Sequence, residues 1–293
     1  MTILVTGSEG LIGRHLSPRL ESVGLSIRRF DIRRSTAEDI RDRNAMAAAV
    51  DNVHGIVHLA AVSRVVWGER DPANCIATNV TALHELLELA SRSKSRPWMF
   101  FVSSREVYGN AAYLPVPEHA PLQPINVYAR TKQEGERHVL AARESGLVTN
   151  IARLSSVYGW AGDHEDRVAP AFALRAARGG RIRIDGRQHT LDFTFIDDVV
   201  DGLSRFVAAT ARGECLPTIH FSSGFGTSLE GLARIAIDHA RKPVEVVEEP
   251  PRSYAVSRFV GDPSRAATLL GWSAKTLVEH GMKQLIDQYV AAD

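Results

Sequence analysis

The chain has 293 residues, of which 44% are apolar and 24% charged, and its formal net charge is +1. That length suits one large domain or two modest ones with a sizeable core, and the balanced charge gives no reason to expect nucleic acid or a membrane surface as a partner. Cys75 and Cys215 are the only cysteines and lie far apart with no metal-ligand spacing, a pattern of free thiols in a reducing cytoplasm with no metal. No apolar run reaches the ~18–20 residues of a membrane span, and the first residues lead straight into glycines, unlike a signal peptide.

The elements alternate. Thr2–Thr6 predicts a first strand, Leu11–Ser22 a helix and Leu25–Phe30 a second strand. Arg43–Val50 (helix), Gly55–Leu59 (strand) and Ile76–Ser91 (helix) follow, then Trp98–Ser103 (strand), Val127–Glu144 (helix) and Val148–Leu154 (strand). Short unbroken apolar runs between helices predict βαβ units and a doubly wound parallel sheet covered on both faces. Beyond Tyr158 the alternation loosens. Helices are expected over Arg167–Arg178, Asp197–Thr210, Ser228–Ala240, Asp262–Leu270 and Thr276–Ala291, with short strands at Arg181–Ile184 and Pro243–Val247. The expected division is a dinucleotide-binding domain over 1–160, rejoined by 186–214, and a smaller α/β lobe for substrate over 161–185 and 215–293.

Two constellations carry chemistry. Thr6-Gly7-Ser8-Glu9-Gly10-Leu11-Ile12-Gly13 joins the first strand to the first helix. Gly7 permits the tight turn, Gly10 clears space for a phosphate, and Gly13 lets the helix pack on the strand. Asp31 ends the second strand, where a carboxylate accepts hydrogen bonds from a ribose diol and repels a 2′-phosphate. That favours NAD, although Arg33 and Arg34 stand close enough to serve NADP. The second constellation places Tyr128 and Lys132 four apart on one helix face. A phenol is a poor base near neutrality, and a neighbouring ammonium favours the phenolate. Ser104 stands at the C-terminal end of a strand, the edge where open α/β sheets bind ligands, and would hydrogen-bond the reacting oxygen.

With these motifs the chain resembles an extended short-chain dehydrogenase/reductase of the NAD-dependent epimerase/dehydratase family, which acts on nucleotide sugars with a Rossmann sheet. Its marks are TGSEGLIG (Thr6–Gly13), DI (Asp39–Ile40), HLAA (His58–Ala61), Asn79-Val80, SSREVYG (Ser103–Gly109) and NVYARTK (Asn126–Lys132). They continue through RLSSVYG (Arg153–Gly159), LDFTFIDDVV (Leu191–Val200), Asp262–Ala266 and Leu270-Gly271-Trp272. By that resemblance Leu11 and Ile12 lie along the dinucleotide, Asp39 and Ile40 meet the adenine, and Asn79 supports the cofactor. Leu59, Ala60, Ala61, Val102, Leu154 and Val157 line it, with Tyr128 and Lys132 at its reactive end. The nucleotide sugar is expected against Ser63, Ser104, Ser156, Arg167, Val168 and Arg252, the last matching a diphosphate-binding arginine of the UDP-galactose 4-epimerase branch. Leu191 departs from the family's usual arginine before Asp-Phe, with Arg187 or His189 as substitutes. The family also implies a homodimer through two helices.

The residues after Ser104 bear on the reaction, and the missing Asp argues against the dehydratase branch. The 4,6-dehydratases of the family carry Asp-Glu where this chain has Arg105-Glu106. Glu106 is therefore either a base for a second chemical step or a structural carboxylate paired with a neighbour such as Arg105. The expected activity is a nucleotide-sugar 4-epimerase with NAD. The alternatives are a dehydratase, decarboxylase or ketoreductase on the same substrates, or a non-catalytic dinucleotide sensor.

Overall fold

The first strand is built from Ile3, Leu4 and Val5, all fully buried, and the sheet grows outward from it on both sides. The computed structural model describes residues 1–292. In chain order its elements begin with β1 (Thr2–Thr6), α1 (Leu11–Glu21), β2 (Ser26–Phe30), α2 (Arg43–Val50), β3 (Gly55–His58), α3 (Val65–Arg70), α4 (Pro72–Ile76) and α5 (Ala82–Arg92). They continue with β4 (Trp98–Ser104), α6 (Val127–Glu144), β5 (Thr149–Leu154), β6 (Ser156–Tyr158), α7 (Val168–Arg178), β7 (Gly180–Asp185), β8 (Thr190–Phe195) and α8 (Ile196–Ala211). The last are β9 (Ile219–Phe221), β10 (Gly226–Ser228), α9 (Leu229–Asp238), β11 (Val244–Glu249), β12 (Arg258–Phe259), α10 (Ser264–Leu270) and α11 (Val278–Ala291). A single π-helical turn, Ala77–Thr81, joins α4 to α5.

Two compact units divide the chain. One comprises Met1–Gly109, Pro121–Leu154 and Val200–Ile219, and the other Asn110–Ala120, Ser155–Val199 and the stretch from His220 on. The first is built on strands in the order β2-β1-β3-β4-β5, with Ile219 of β9 beyond β5. The pairs β1·β2, β1·β3, β3·β4 and β4·β5 are parallel. The strand order reverses between β1 and β3, so a crevice opens beyond the C-terminal ends of those two strands. The layer of helices on one face packs Leu83, Leu86 and Leu87 of α5 and Val139 of α6 into a core with Leu4, Ile56, Met99, Phe101 and Ile151.

In the second unit β8 is the organising strand. It pairs in parallel with β6 and β12 and antiparallel with β10. Those pairings place 190–195 in this unit, and Val200–Ile219 belongs to the first. Asp192 of β8 is fully buried and accepts hydrogen bonds from the backbone N–H groups of Ser223, Gly224 and Gly261 and from the Ser223 hydroxyl. Burial alone pushes its carboxyl upward, and those donors act against the shift. A parallel pair, β7·β11, completes the strands of this unit. Among the described residues no helix is long and apolar enough to cross a membrane.

One buried ion pair ties α6 to β5. Arg153 donates from Nε to Glu136 at 2.8 Å and from NH2 at 2.5 Å, and NH1 donates to the Tyr108 hydroxyl. Burial disfavours the guanidinium charge, but the Glu136 bonds outweigh it and raise the arginine above its ordinary value. Breaking such a pair from one side strands a charge, at a cost of about 3–5 kcal/mol, whereas replacing both partners with apolar groups costs far less. Arg153→Met is therefore expected to lower the urea midpoint sharply, and Arg153→Met with Glu136→Leu to recover part of the loss, because Glu136 also faces Lys132. A double variant no more stable than the single would contradict this account.

Candidate active site

The glycine motif forms a cradle at the β1/β3 crevice. Gly7 has φ +72°, and a Cβ there would lie 2.5 Å from the Ala60 nitrogen; a Cβ on Gly13 would lie 2.4 Å from the Gly7 carbonyl oxygen. Backbone packing of that closeness admits only glycine. Helix α1 starts at Gly10 with no side chain capping it, so its first-turn N–H groups, including those of Leu11 and Ile12, are placed to receive an anion. Leu59 donates its N–H to the Thr6 carbonyl at 3.0 Å, which brings the Leu59–Ala61 segment alongside the cradle. Asp31 is buried at the end of β2. This arrangement fits the diphosphate and ribose of a dinucleotide. The Asp39 carboxylate is engaged by Arg41, whose side-chain hydrogen bonds hold it below the usual carboxylate range. Ile40 packs its side chain into the core.

Tyr128 and Lys132 lie on the inner face of α6, both buried. The Lys132 Nζ donates to the Val102 carbonyl of β4 at 2.9 Å and sits 4.9 Å from the Phe101 ring centroid and 6.0 Å from that of Tyr128. Ser104 ends β4 two residues beyond Val102, and its hydroxyl oxygen accepts the Glu106 N–H at 3.2 Å. Burial pulls the Lys132 ammonium down to about 8, against the attraction of Cys75 and of Glu136 one turn further along the helix. His58, at the end of β3, is also buried, and desolvation followed by the Lys132 charge lowers it to about 3. It is therefore neutral, joined to the Thr6 hydroxyl at 2.8 Å and stacked on Phe101.

The N-terminus of α6 is fixed from several directions. Asn126 caps it by accepting the Ala129 N–H at 2.8 Å, and Glu69 of α3 accepts the Val127 N–H at 2.7 Å. The Asn126 amide donates to Glu106 Oε2 at 2.9 Å, while Arg105 reaches Glu106 Oε1 at 2.9 Å. Both oxygens of this buried carboxylate are thus engaged. Asn79, in the π turn, accepts the Val62 N–H at 2.8 Å and donates to the Thr131 hydroxyl at 2.9 Å. The loop after β3 and the helix bearing Tyr128 are joined through that one side chain. Sequence reading assigned no role to Asn126, Glu69 or Thr131. An asparagine just before a helix is an N-cap signal, but Glu69 and Thr131 carry no local one.

The other expected residues fall in different surroundings. Ser63 is exposed in the loop after β3, and Leu154 ends β5. In the second unit Ser156 and Val157 lie on β6, and Arg167 precedes α7, whose first residue is Val168. The polar loop before α7 is drawn together by Arg167 and Asp163, 3.4 Å apart. Arg252 donates to Asp185 at 3.1 Å. Arg187 lies 3.8 Å from both Glu230 and Glu248.

The model of the NAD dependent epimerase/dehydratase family matches residues 3–218. A putative UDP-glucose 4-epimerase of Methanocaldococcus jannaschii is 28% identical, with 97% of each chain covered. UDP-glucuronate 4-epimerase 6 of Arabidopsis thaliana is 30% identical over 81% of this chain, which spans 56% of that protein. Among solved structures, a UDP-glucose 4-epimerase of Thermotoga maritima with UDP-glucose superposes with a TM-score of 0.91 at 27% identity, covering 100% of this chain and 99% of that one.

The buried lysine predicts a pH signature. Unfolded lysine holds its proton up to about 10.5, while the folded chain releases it near 8. Between those values the unfolded state binds more protons, so stability rises with pH. Relative to Lys132→Met, the wild type is expected to gain thermal stability from pH 8 to 10.5 and to show a constant difference below pH 7. A difference that does not change with pH would show that the ammonium is not desolvated.

Proposed function

Because the chain belongs to the NAD-dependent epimerase/dehydratase family, we propose that it is a nucleotide-sugar 4-epimerase acting on a UDP-hexose, with NAD held at the Gly7–Gly13 cradle and Asp31. The observation that carries the choice of reaction is the engagement of both Glu106 oxygens by Arg105 and Asn126. Dehydration needs a further base to take a proton from the carbon beside the ketone. A carboxylate bonded at both oxygens, and holding the cap of α6, is poorly suited to that work. Epimerisation needs only the proton relay of Tyr128 and Ser104.

NAD, when bound, supplies the acceptor that takes the sugar's hydride and gives it back. The protein's own groups manage the proton. The Tyr128 oxygen accepts it from the sugar hydroxyl, and the Lys132 ammonium stabilises the phenolate through the field of a nearby charge in a dry site. Because the Ser104 oxygen already accepts the Glu106 N–H, its own O–H is left to donate to the reacting sugar oxygen. Turning the keto sugar before the proton and hydride return inverts the carbon, and the same tyrosine serves both directions.

In this reading the Gly7–Gly13 cradle holds the dinucleotide, and Ser156, Arg167, Val168 and Arg252 contribute to binding the nucleotide sugar. A homodimer packs through α5 and α6, the latter carrying Leu140 at 40% exposure. The two free thiols, Cys75 and Cys215, suit a reducing cytoplasm.

The test is interconversion of UDP-glucose and UDP-galactose, followed by product analysis and absorbance near 340 nm. Turnover is expected without net NADH release. Tyr128→Phe should lower kcat by about 10³-fold with little change in NAD affinity. Glu106→Gln should lose less than about tenfold, well short of the loss expected for a catalytic base. A stable dehydrated product, or inactivity of Glu106→Gln equal to that of Tyr128→Phe, would replace the epimerase reading with a dehydratase.

A further inference from the structure

Two arginines follow Asp31, and a guanidinium at this place is what a 2′-phosphate needs. The structure shows what they hold. Asp31 accepts the Glu9 N–H at 2.9 Å and the Arg33 N–H at 2.8 Å. Arg33 donates to the Glu9 carbonyl at 3.3 Å. Arg34 lies between two carboxylates, with its Nε 3.4 Å from Glu38 and its NH1 3.9 Å from Glu9. Neither carboxylate is loose. Glu38 accepts the Asp31 N–H at 2.9 Å, and Glu9 pairs with Arg14 at 2.7 Å. Glu9 also sits inside the glycine motif itself, so the turn that cradles the phosphates places its charge beside the ribose end of the site.

We propose that Glu9 and Glu38 are specificity-determining residues: they hold Arg34 in an ion pair and add their charges to that of Asp31, and so exclude a 2′-phosphorylated dinucleotide. Asp31 alone sets the ribose contact. The flanking glutamates determine whether the neighbouring arginine answers a phosphate. This rests on the NAD reading above. Arg34 is 42% exposed and Glu9 and Glu38 are 20% and 26% exposed, so solvent weakens each pair. The outcome is a shift in the ratio of affinities, not a full exchange of cofactor.

The test titrates the full-length protein with NAD and with NADP. The wild type is expected to bind NAD more tightly. Glu38→Gln should tighten NADP by about threefold and Glu9→Gln with Glu38→Gln by about tenfold, with NAD changing by less than about twofold, as expected for partly exposed charges. Adding Arg34→Ala to the double variant should abolish the gain, whereas Arg34→Ala alone should leave wild-type NADP affinity within about twofold. An unchanged ratio in the double variant, or a gain that survives loss of Arg34, overturns the proposal while leaving the NAD reading intact. A wild type that binds neither dinucleotide overturns that reading and this proposal together.

Discussion

A buried ammonium sets the terms for the rest of the site. Lys132 loses its water shell, and burial of that charge is costly unless it is paired or hydrogen-bonded. Neighbours that offset the cost include Cys75, Glu136 one turn along α6, the Val102 carbonyl and the face of Phe101. Glu136 is itself held by Arg153. Tyr128, Lys132 and Glu136 therefore form a column of period four down one helix face, with the Tyr128 phenol at one end and the Glu136–Arg153 ion pair at the other. The column keeps its geometry only if α6 cannot slide or rotate. That explains why Asn126, Glu69 and the Asn79–Thr131 bond all converge on its first two turns.

The same economy governs the cofactor side. Closeness between Gly7 and Ala60 brings the ends of β1 and β3 together where the sheet order reverses. Asn79 then fastens the loop after β3 to α6. The glycine turn and helix α6 are joined through two short connections, one made of backbone packing and one of a single amide. A π turn at Ala77–Thr81 accompanies that amide, and such turns recur where function demands a side chain off the regular helical path.

Much of this was legible in the chain. The five parallel strands of the first unit and the span of α6 follow from apolar runs and period, and the family motifs placed the glycine turn, Ser104, Tyr128 and Lys132 within it. The reading of Ile76–Ser91 as one helix missed the π turn, where Asn79 bonds to a partner 17 residues back, Val62, that local periodicity does not report. Strand β8 went unseen for a related reason. Asp192 and Thr194 look like loop residues, and the donors of Ser223, Gly224 and Gly261 that help to make the burial of Asp192 tolerable lie far along the chain. Helix α3 is six residues long and opens on two valines, too short to display a period and poor in helix propensity.

These misses share a cause that bears on Glu106. Periodicity reports how a segment meets the core, so it finds elements and catalytic residues that stand on them. It says nothing about a buried polar group, whose energy is decided by partners distant in sequence. From the chain alone, Glu106 was readable as a base or as a strut, with the strut the more favoured of the two. Its surroundings separate the two on physical grounds. A general base needs a free lone pair aimed at the substrate, while a strut needs both oxygens engaged by groups that hold something else in place. Here one oxygen meets Arg105, and the other meets the residue that caps the helix of Tyr128 and Lys132. The carboxylate thus helps to fix the position of that helix, and this is the ground on which we propose an epimerase rather than a dehydratase.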